Sequence, residues 1–223
     1  MGQAIGQTLP FAVGIALSPI PIVGVVLMLA TPRAGSNGLA FLVGWILGLA
    51  AVGTVVLLVS AGADASEAGQ PATWVSVLKL VLGAGLLAVA VREWRGRPRR
   101  GEEGEMPSWM REVDHFGPGR AFGLAILLSA VNPKNLVLVL GAAASISQAG
   151  LDAGQDAVAL AIFIVIACLG PAAPVMLHLV AGERARQPLA ELKEWMAHNN
   201  AAIMAVICLV IGAKLIGDGI SGF

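Results

Sequence analysis

Charge is what this sequence has least of. Lys and Arg together number 14, Asp and Glu another 14, and the four types make up 13% of 223 residues, where a water-soluble domain carries about a quarter. With 57% hydrophobic residues and a mean hydropathy of +0.82, so much apolar surface cannot be hidden in one soluble core, and a soluble globular domain is excluded. Cysteine is almost absent. Cys168 and Cys208 lack CxxC spacing and lie inside apolar runs, where a cysteine acts as a small buried hydrophobe. His115, His178 and His198 have neither metal-ligand spacing nor companion carboxylates on one helix face. Neither a metal nor any other cofactor is therefore expected. No nucleophile stands beside a base, so no enzyme is expected, and no aromatic residues interleave the basic ones as a nucleic-acid surface requires. Met1 to Pro10 contains no Lys or Arg, which argues against a secretory leader and for a retained first helix. Gly6 stands where a myristoylation signal needs Ser or Thr. Gly83-Ala84-Gly85-Leu86-Leu87-Ala88 imitates a dinucleotide-binding loop, but no strand precedes it and it sits in a lipid-length run, so it reads as packing glycine.

What is present is a series of long apolar runs. Six are long enough to cross a hydrocarbon layer of roughly 30 Å as helices, at about 4–30, 38–61, 74–93, 120–147, 153–180 and 199–221. The basic residues divide the connections into two sets. Arg33 follows span one, Arg92, Arg95, Arg97, Arg99, Arg100, Arg111 and Arg120 surround the connection after span three, and Arg184, Arg186 and Lys193 follow span five, while the other two connections have none. Positive connections stay in the cytoplasm, which puts both termini outside it.

Two spans are interrupted. Ser18-Pro19-Ile20-Pro21 and Asn132-Pro133-Lys134-Asn135 each begin roughly 14 residues, about 20 Å, into an apolar run. A proline there removes a backbone donor and leaves a carbonyl open, which lipid does not tolerate unless protein or a watery cavity supplies a partner. A shift of 114 positions lays one motif on the other. Three helices before the second copy invert its orientation, so both breaks are expected near the midplane, where transporters of inverted repeats bind substrate. The expected fold is all-α: a polytopic membrane protein of six transmembrane helices, a 3+3 inverted repeat with helices 1 and 4 broken. Residues 1–223 form one domain, with repeat one at 1–93, a cytoplasmic loop with an interfacial helix at 94–119, and repeat two at 120–223.

Lys134 is the sharpest residue. An ionised lysine deep in a bilayer costs on the order of 3 kcal/mol, and the spans hold no Asp or Glu at comparable depth to neutralise it. It is neutral through desolvation, or held by carbonyls freed at Pro19, Pro21 and Pro133, or meets an anionic group of a cargo. Ser18, Asn132 and Asn135 add polar groups that serve either cargo or helix stitching. Gly170-Pro171-Ala172-Ala173-Pro174 reads as a third break or kink, a hinge or a static bend. Gly44 and Gly48 read as a packing face, and Lys214 with Asp218 as an i,i+4 pair. Met106, Trp109, Met110, Val113 and Phe116, and again Leu189, Leu192, Trp195 and Met196, recur as in helices lying along the interface.

Ser18-Pro19-Ile20-Pro21, the stretch Asn37-Gly38-Leu39-Ala40-Phe41-Leu42-Val43-Gly44-Trp45 and Asn132-Pro133-Lys134-Asn135-Leu136 give the chain a resemblance to the LysE transporter superfamily. They are most similar to its GAP branch of peptidoglycolipid and sulfolipid addressing proteins. The resemblance implies a multi-pass protein of the bacterial plasma membrane that exports or flips a polar or anionic lipid or lipid-linked envelope component. Its site would lie between helices 1 and 4: Ser18, Asn132 and Asn135 for polar contacts, Lys134 for charge, Pro19, Pro21 and Pro133 for backbone openings, and Gly170, Pro171 and Pro174 for the hinge. Membrane lipids, a lipid or small-molecule cargo and a second copy of the chain are the expected partners, and nucleic acid is not. The alternatives are a LysE-type exporter of an amino acid or ion, and an accessory subunit of a lipid export complex. A cation cargo fits poorly with Lys134, and a thiol-disulfide carrier is opposed by Ser18 and Asn132 where it needs cysteines.

Overall fold

A computed structural model of the chain describes residues 1–62, 66–67, 70–71, 73–97 and 116–222. Among these the order is α1 (Gly2–Ala16), α2 (Pro19–Leu29), α3 (Ala34–Gly62), a two-residue antiparallel pairing of β1 (Ser66–Glu67) with β2 (Gln70–Pro71), and α4 (Thr73–Arg95). The second half continues with α5 (Pro118–Ile126), a π-wound turn (Leu127–Val131), α6 (Pro133–Ser147) and α7 (Ala153–Ala181). A 3₁₀ turn (Gly182–Ala185), α8 (Arg186–His198) and α9 (Asn200–Ile220) complete it. The interfacial helix expected around 106–113 and most of the 94–119 loop lie outside the described residues.

The helices α3, α4, α7 and α9 are long and apolar enough to cross a membrane. The pairs α1/α2, bent by 48°, and α5/α6, bent by 59°, complete six spans if each pair counts as one. Side chains such as Leu58, Val59, Val165, Leu169 and Val180 stand exposed on the outside of α3 and α7. An outer surface of that kind suits hydrocarbon as solvent. Inside, Phe11 and Ile15 of α1 join Phe41 and Trp45 of α3, Leu138 of α6, Phe163 of α7 and Ile211 and Leu215 of α9 in one cluster. The first helix is therefore the centre of the bundle and not its edge.

Small residues set how closely the helices approach. A Cβ on Gly44 would come within 2.5 Å of the Phe122 carbonyl on α5, and one on Gly48 would overlap Ser129. One on Gly170 would overlap the Ala16 carbonyl at the end of α1. Gly83 of α4 and Gly212 of α9 face each other, each within 3.0 Å of the other's carbonyl when a Cβ is added. The packing reading of Gly44, Gly48 and Gly83 holds. Gly85 differs, since it faces open space.

Two turns depend on left-handed glycine. Gly150, at φ 60°, separates α6 from α7, and Gly182, at φ 53°, ends α7. After that, α8 does more than lie along an interface. Its Met196 packs with Ile22 and Val23 of α2, and Leu192 lies against them, so α8 braces the half-helix after the first break.

Replacing Gly212 with Val should lower the thermal unfolding midpoint of the detergent-purified protein by an amount equivalent to about 1–3 kcal/mol, from overpacking the α4–α9 seam. Gly85→Ala, a control on the open face, should leave it unchanged or slightly raised.

Candidate functional site

The two breaks are built alike. Ser18 has φ −65° and ψ 117°, and Asn132 has φ −60° and ψ 119°. Each is held extended by the proline after it, and that proline occupies the first position of the next half-helix, where its missing N–H costs nothing. The cost falls on the half-helix before. Pro19 deprives the Ile15 carbonyl of its i+4 donor, and the Ser18 N–H closes onto Ile15 O instead, at 3.1 Å. The Gly14 carbonyl is then left open, and Ser18 Oγ donates to it at 3.1 Å.

In the second half the Asn132 N–H reaches back five residues to Leu127 O at 3.1 Å, which is the π turn. That leaves the Leu128 carbonyl, and Asn135 Nδ2 donates to it at 2.8 Å. In both breaks, then, the carbonyl four residues before the pre-proline residue is taken by a side chain. Asn132 Oδ1 meanwhile accepts from the Lys134 N–H at 3.1 Å and caps α6.

Lys134 joins the two breaks. From the first turn of α6 its Nζ donates to Ser18 Oγ and, at 3.4 Å, to the Gly14 carbonyl, with Met204 Sδ of α9 at 3.5 Å. In this structure the Ser18 hydroxyl and the Gly14 carbonyl hold the lysine. Ser18 can serve both neighbours because a hydroxyl donates one hydrogen bond while accepting another. Met204 is the fifth residue of α9, so the ammonium lies about 6 Å along from the start of that helix. Against α9 the contact is therefore nearer that end than the middle.

The remaining expected residues divide. Ser18, Pro19, Pro21 and Asn135 are buried, Asn132 and Lys134 half-buried, and Pro133 exposed. The amides of Asn132 and Asn135 are turned to their own backbone, because in lipid the open N–H and carbonyl of the break compete first for any nearby polar group. One acceptor is left over. Asn135 Oδ1 is buried with no partner. Gly170, Pro171 and Pro174 form no break, since α7 runs through them uninterrupted. Gly170 nonetheless reaches the site, being the point where α7 presses on Ala16 just before the first break.

Three roles escaped the sequence reading. Met204 covers the ammonium. Asn37, fully buried, donates from Nδ2 to Thr31 Oγ1 at 3.3 Å and Phe116 O at 2.9 Å, tying the start of α3 to the entry of α5. Lys79, only 5% exposed, donates from Nζ to Gln148 Oε1 across α4 and α6. Its signal was a lysine six residues inside span three, which a snorkelling side chain explains too easily.

Compared with known proteins, residues 8–221 match the family model described as "Sap, sulfolipid-1-addressing protein". No curated protein and no solved structure matches.

Asn135→Leu should cost about 1–3 kcal/mol of stability, since it strips the Leu128 carbonyl of its donor in a buried setting. Asn132→Ala, losing one cap, should cost about 1 kcal/mol. Thermal unfolding in uncharged detergent reads both, and equal effects would contradict the assignment of Asn135 to the freed carbonyl.

Proposed function

The chain belongs to the sulfolipid-1-addressing protein family, and on that premise we propose that it is a membrane transporter. It exports or flips a polar or anionic lipid, or a lipid-linked envelope component, through a site between the broken helices, and it is a carrier and not an enzyme. The observation that carries this reading is Lys134 Nζ lying across both breaks, on Ser18 and Gly14 of one half from its place on α6 in the other. A cation held only by a hydroxyl, a carbonyl and a thioether keeps its charge uncancelled, and an anionic head group is its natural counter-ion.

The packing supports a 3+3 inverted repeat and a place for the family within the LysE transporter superfamily. The second helix of each half presses a glycine against the last turn before the break in the other half: Gly48 on Ser129, Gly170 on Ala16. The third helices, α4 and α9, meet through Gly83 and Gly212 in a reciprocal contact. Arg33, Arg92, Arg95, Arg186 and Lys193 gather at one end of the helices, which supports a plasma-membrane topology with that end cytoplasmic and both termini outside.

In this reading Lys134 works as a latch. An arriving head group takes the ammonium from Ser18 and Gly14, the first break loses its cross-link to the second, and α1 and α7 shift at Gly170. The partners are membrane lipids and the lipid cargo. Binding energy to the cargo replaces the lost contacts, so latch opening is linked to occupancy.

In liposomes containing only the purified chain, Lys134→Met should reduce transfer of a labelled anionic lipid across the bilayer to the protein-free rate, with membrane insertion and a cooperative, though less stable, unfolding transition in detergent retained. Transfer at the unsubstituted rate by that variant would remove Lys134 from the mechanism, and no transfer by the unsubstituted chain would end the transporter reading.

A further inference from the structure

A second polar node lies on the same helix seam, at the opposite end. The start of α1, the first turns of α4 and the ends of α6 and α9 enclose a cavity of about 260 Å³ lined by Gln3, Gln7, Lys79, Gln148, Asp218 and Ser221. Its hydrogen-bond inventory is unbalanced. Lys79 Nζ has three donor positions and, among the described residues, one acceptor, Gln148 Oε1. Accepting from a lysine fixes the orientation of that amide, so its other end is a donor, and Gln148 Nε2 is buried with no partner. Asp218 Oδ2 is taken by Lys214, whose ammonium also sits 4.9 Å from the centre of the Phe11 ring. Among the described residues the Lys214–Asp218 pair cancels itself, which leaves the charge of Lys79 facing unfilled donors. A ligand that fits must bring acceptors and one negative charge.

Between this node and Lys134 the seam is closed. Gly14 packs against Leu138, Ile207 and Ile211, and Gly141 against Phe11 and Leu215, five side chains all buried. Along α6 the two nodes are 14 residues, about 21 Å, apart. That arrangement, two cationic nodes on one seam with an apolar plug between them, is what a carrier needs to hold a head group at either side without an open channel.

We propose that the Lys79–Gln148 cavity is an anion site for a monoanionic tetrahedral oxyanion, a sulfate or phosphate ester, occupied by the head group on the side opposite to cytoplasmic entry. This rests on the transport reading for its place in a cycle, but its binding chemistry stands on the cavity alone. Lys79 and Gln148 Nε2 donate to the ester oxygens, and Lys214, from outside the lining, neutralises the Asp218 carboxylate that would otherwise repel the anion. A neutral head group leaves the same donors empty and gains little.

The test is titration of the full chain, purified in an uncharged maltoside detergent, with four probes: a short-chain sulfated glycolipid, its desulfated counterpart, inorganic sulfate and inorganic phosphate. The sulfated lipid should bind at least about tenfold more tightly than the desulfated one, and Lys79→Gln should remove that advantage. Gln148→Glu, whose carboxylate pairs with Lys79 and repels an anion, should do the same and covers the case in which Lys79→Gln does not fold. Lys193→Gln, an equal loss of charge at the far end of the molecule, should change affinity less than twofold. Binding of the free ions as tight as that of the sulfated lipid keeps the oxyanion site and makes its source a soluble anion. Equal binding of sulfated and desulfated lipid, or unchanged binding by the Lys79 and Gln148 variants, overturns the proposal. Liposome transfer by the unsubstituted chain without this binding would remove the cavity and leave the transporter. Binding without transfer would do the reverse.

Discussion

The absence of water around a membrane-spanning backbone governs this structure. Every N–H and carbonyl inside the bilayer must find a partner in the protein. Pro19 and Pro133 each remove one donor, and the consequences propagate by single steps. The N–H before each proline shifts, onto the orphaned Ile15 carbonyl in the first break and back to Leu127 O in the second, a further carbonyl opens, and Ser18 Oγ or Asn135 Nδ2 closes it. Lys134 then lays two hydrogen bonds over the first of these repairs from the second half of the chain. The polar residues that look like a binding motif are, in their first duty, the repair of two broken helices, and the proposed function rests on the one that spans both.

Helices surrounded by hydrocarbon gain little from hiding apolar surface, so they associate through close packing. The glycines of the seams supply it. At Gly48 and Gly170 the approach falls on the turn just before a break, so the contacts that hold the bundle together are also those that steady the two strained turns. Under the transport proposal, a site that opens would lie where rigid helices meet small residues instead of where interlocked side chains would resist. The braced half-helix α2, held by Met196 and Leu192 of α8, forms the fixed side of that arrangement.

Much of this was legible in the chain. Run length located the spans within a few residues, and the backbone donor lost at a proline inside an apolar run located both breaks. What Lys134 touches was legible only in outline. Its partners, Gly14 on α1 and Met204 on α9, are apolar-looking positions distant in sequence, and nothing local marks a carbonyl as open. Gly170-Pro171-Ala172-Ala173-Pro174 left a break, a hinge and a static bend open, and of these the structure removes the break, since prolines inside a long helix are tolerated when neighbouring helices pack against it. Lys79 was missed because a lysine near the end of a span has an ordinary explanation. Only the placement of Gln148 beside it, a feature of tertiary structure, shows the lysine turned inward.

The central claim is that Ser18 and Lys134 interact directly and so couple the two halves. A double-mutant cycle on thermal unfolding in uncharged detergent, with Ser18→Ala, Lys134→Met and the pair, measures that coupling. The account predicts non-additivity of about 1–3 kcal/mol, the pair costing less than the sum because each single change already breaks the same contact. Strict additivity would mean that the two breaks do not meet through this lysine, and would contradict it.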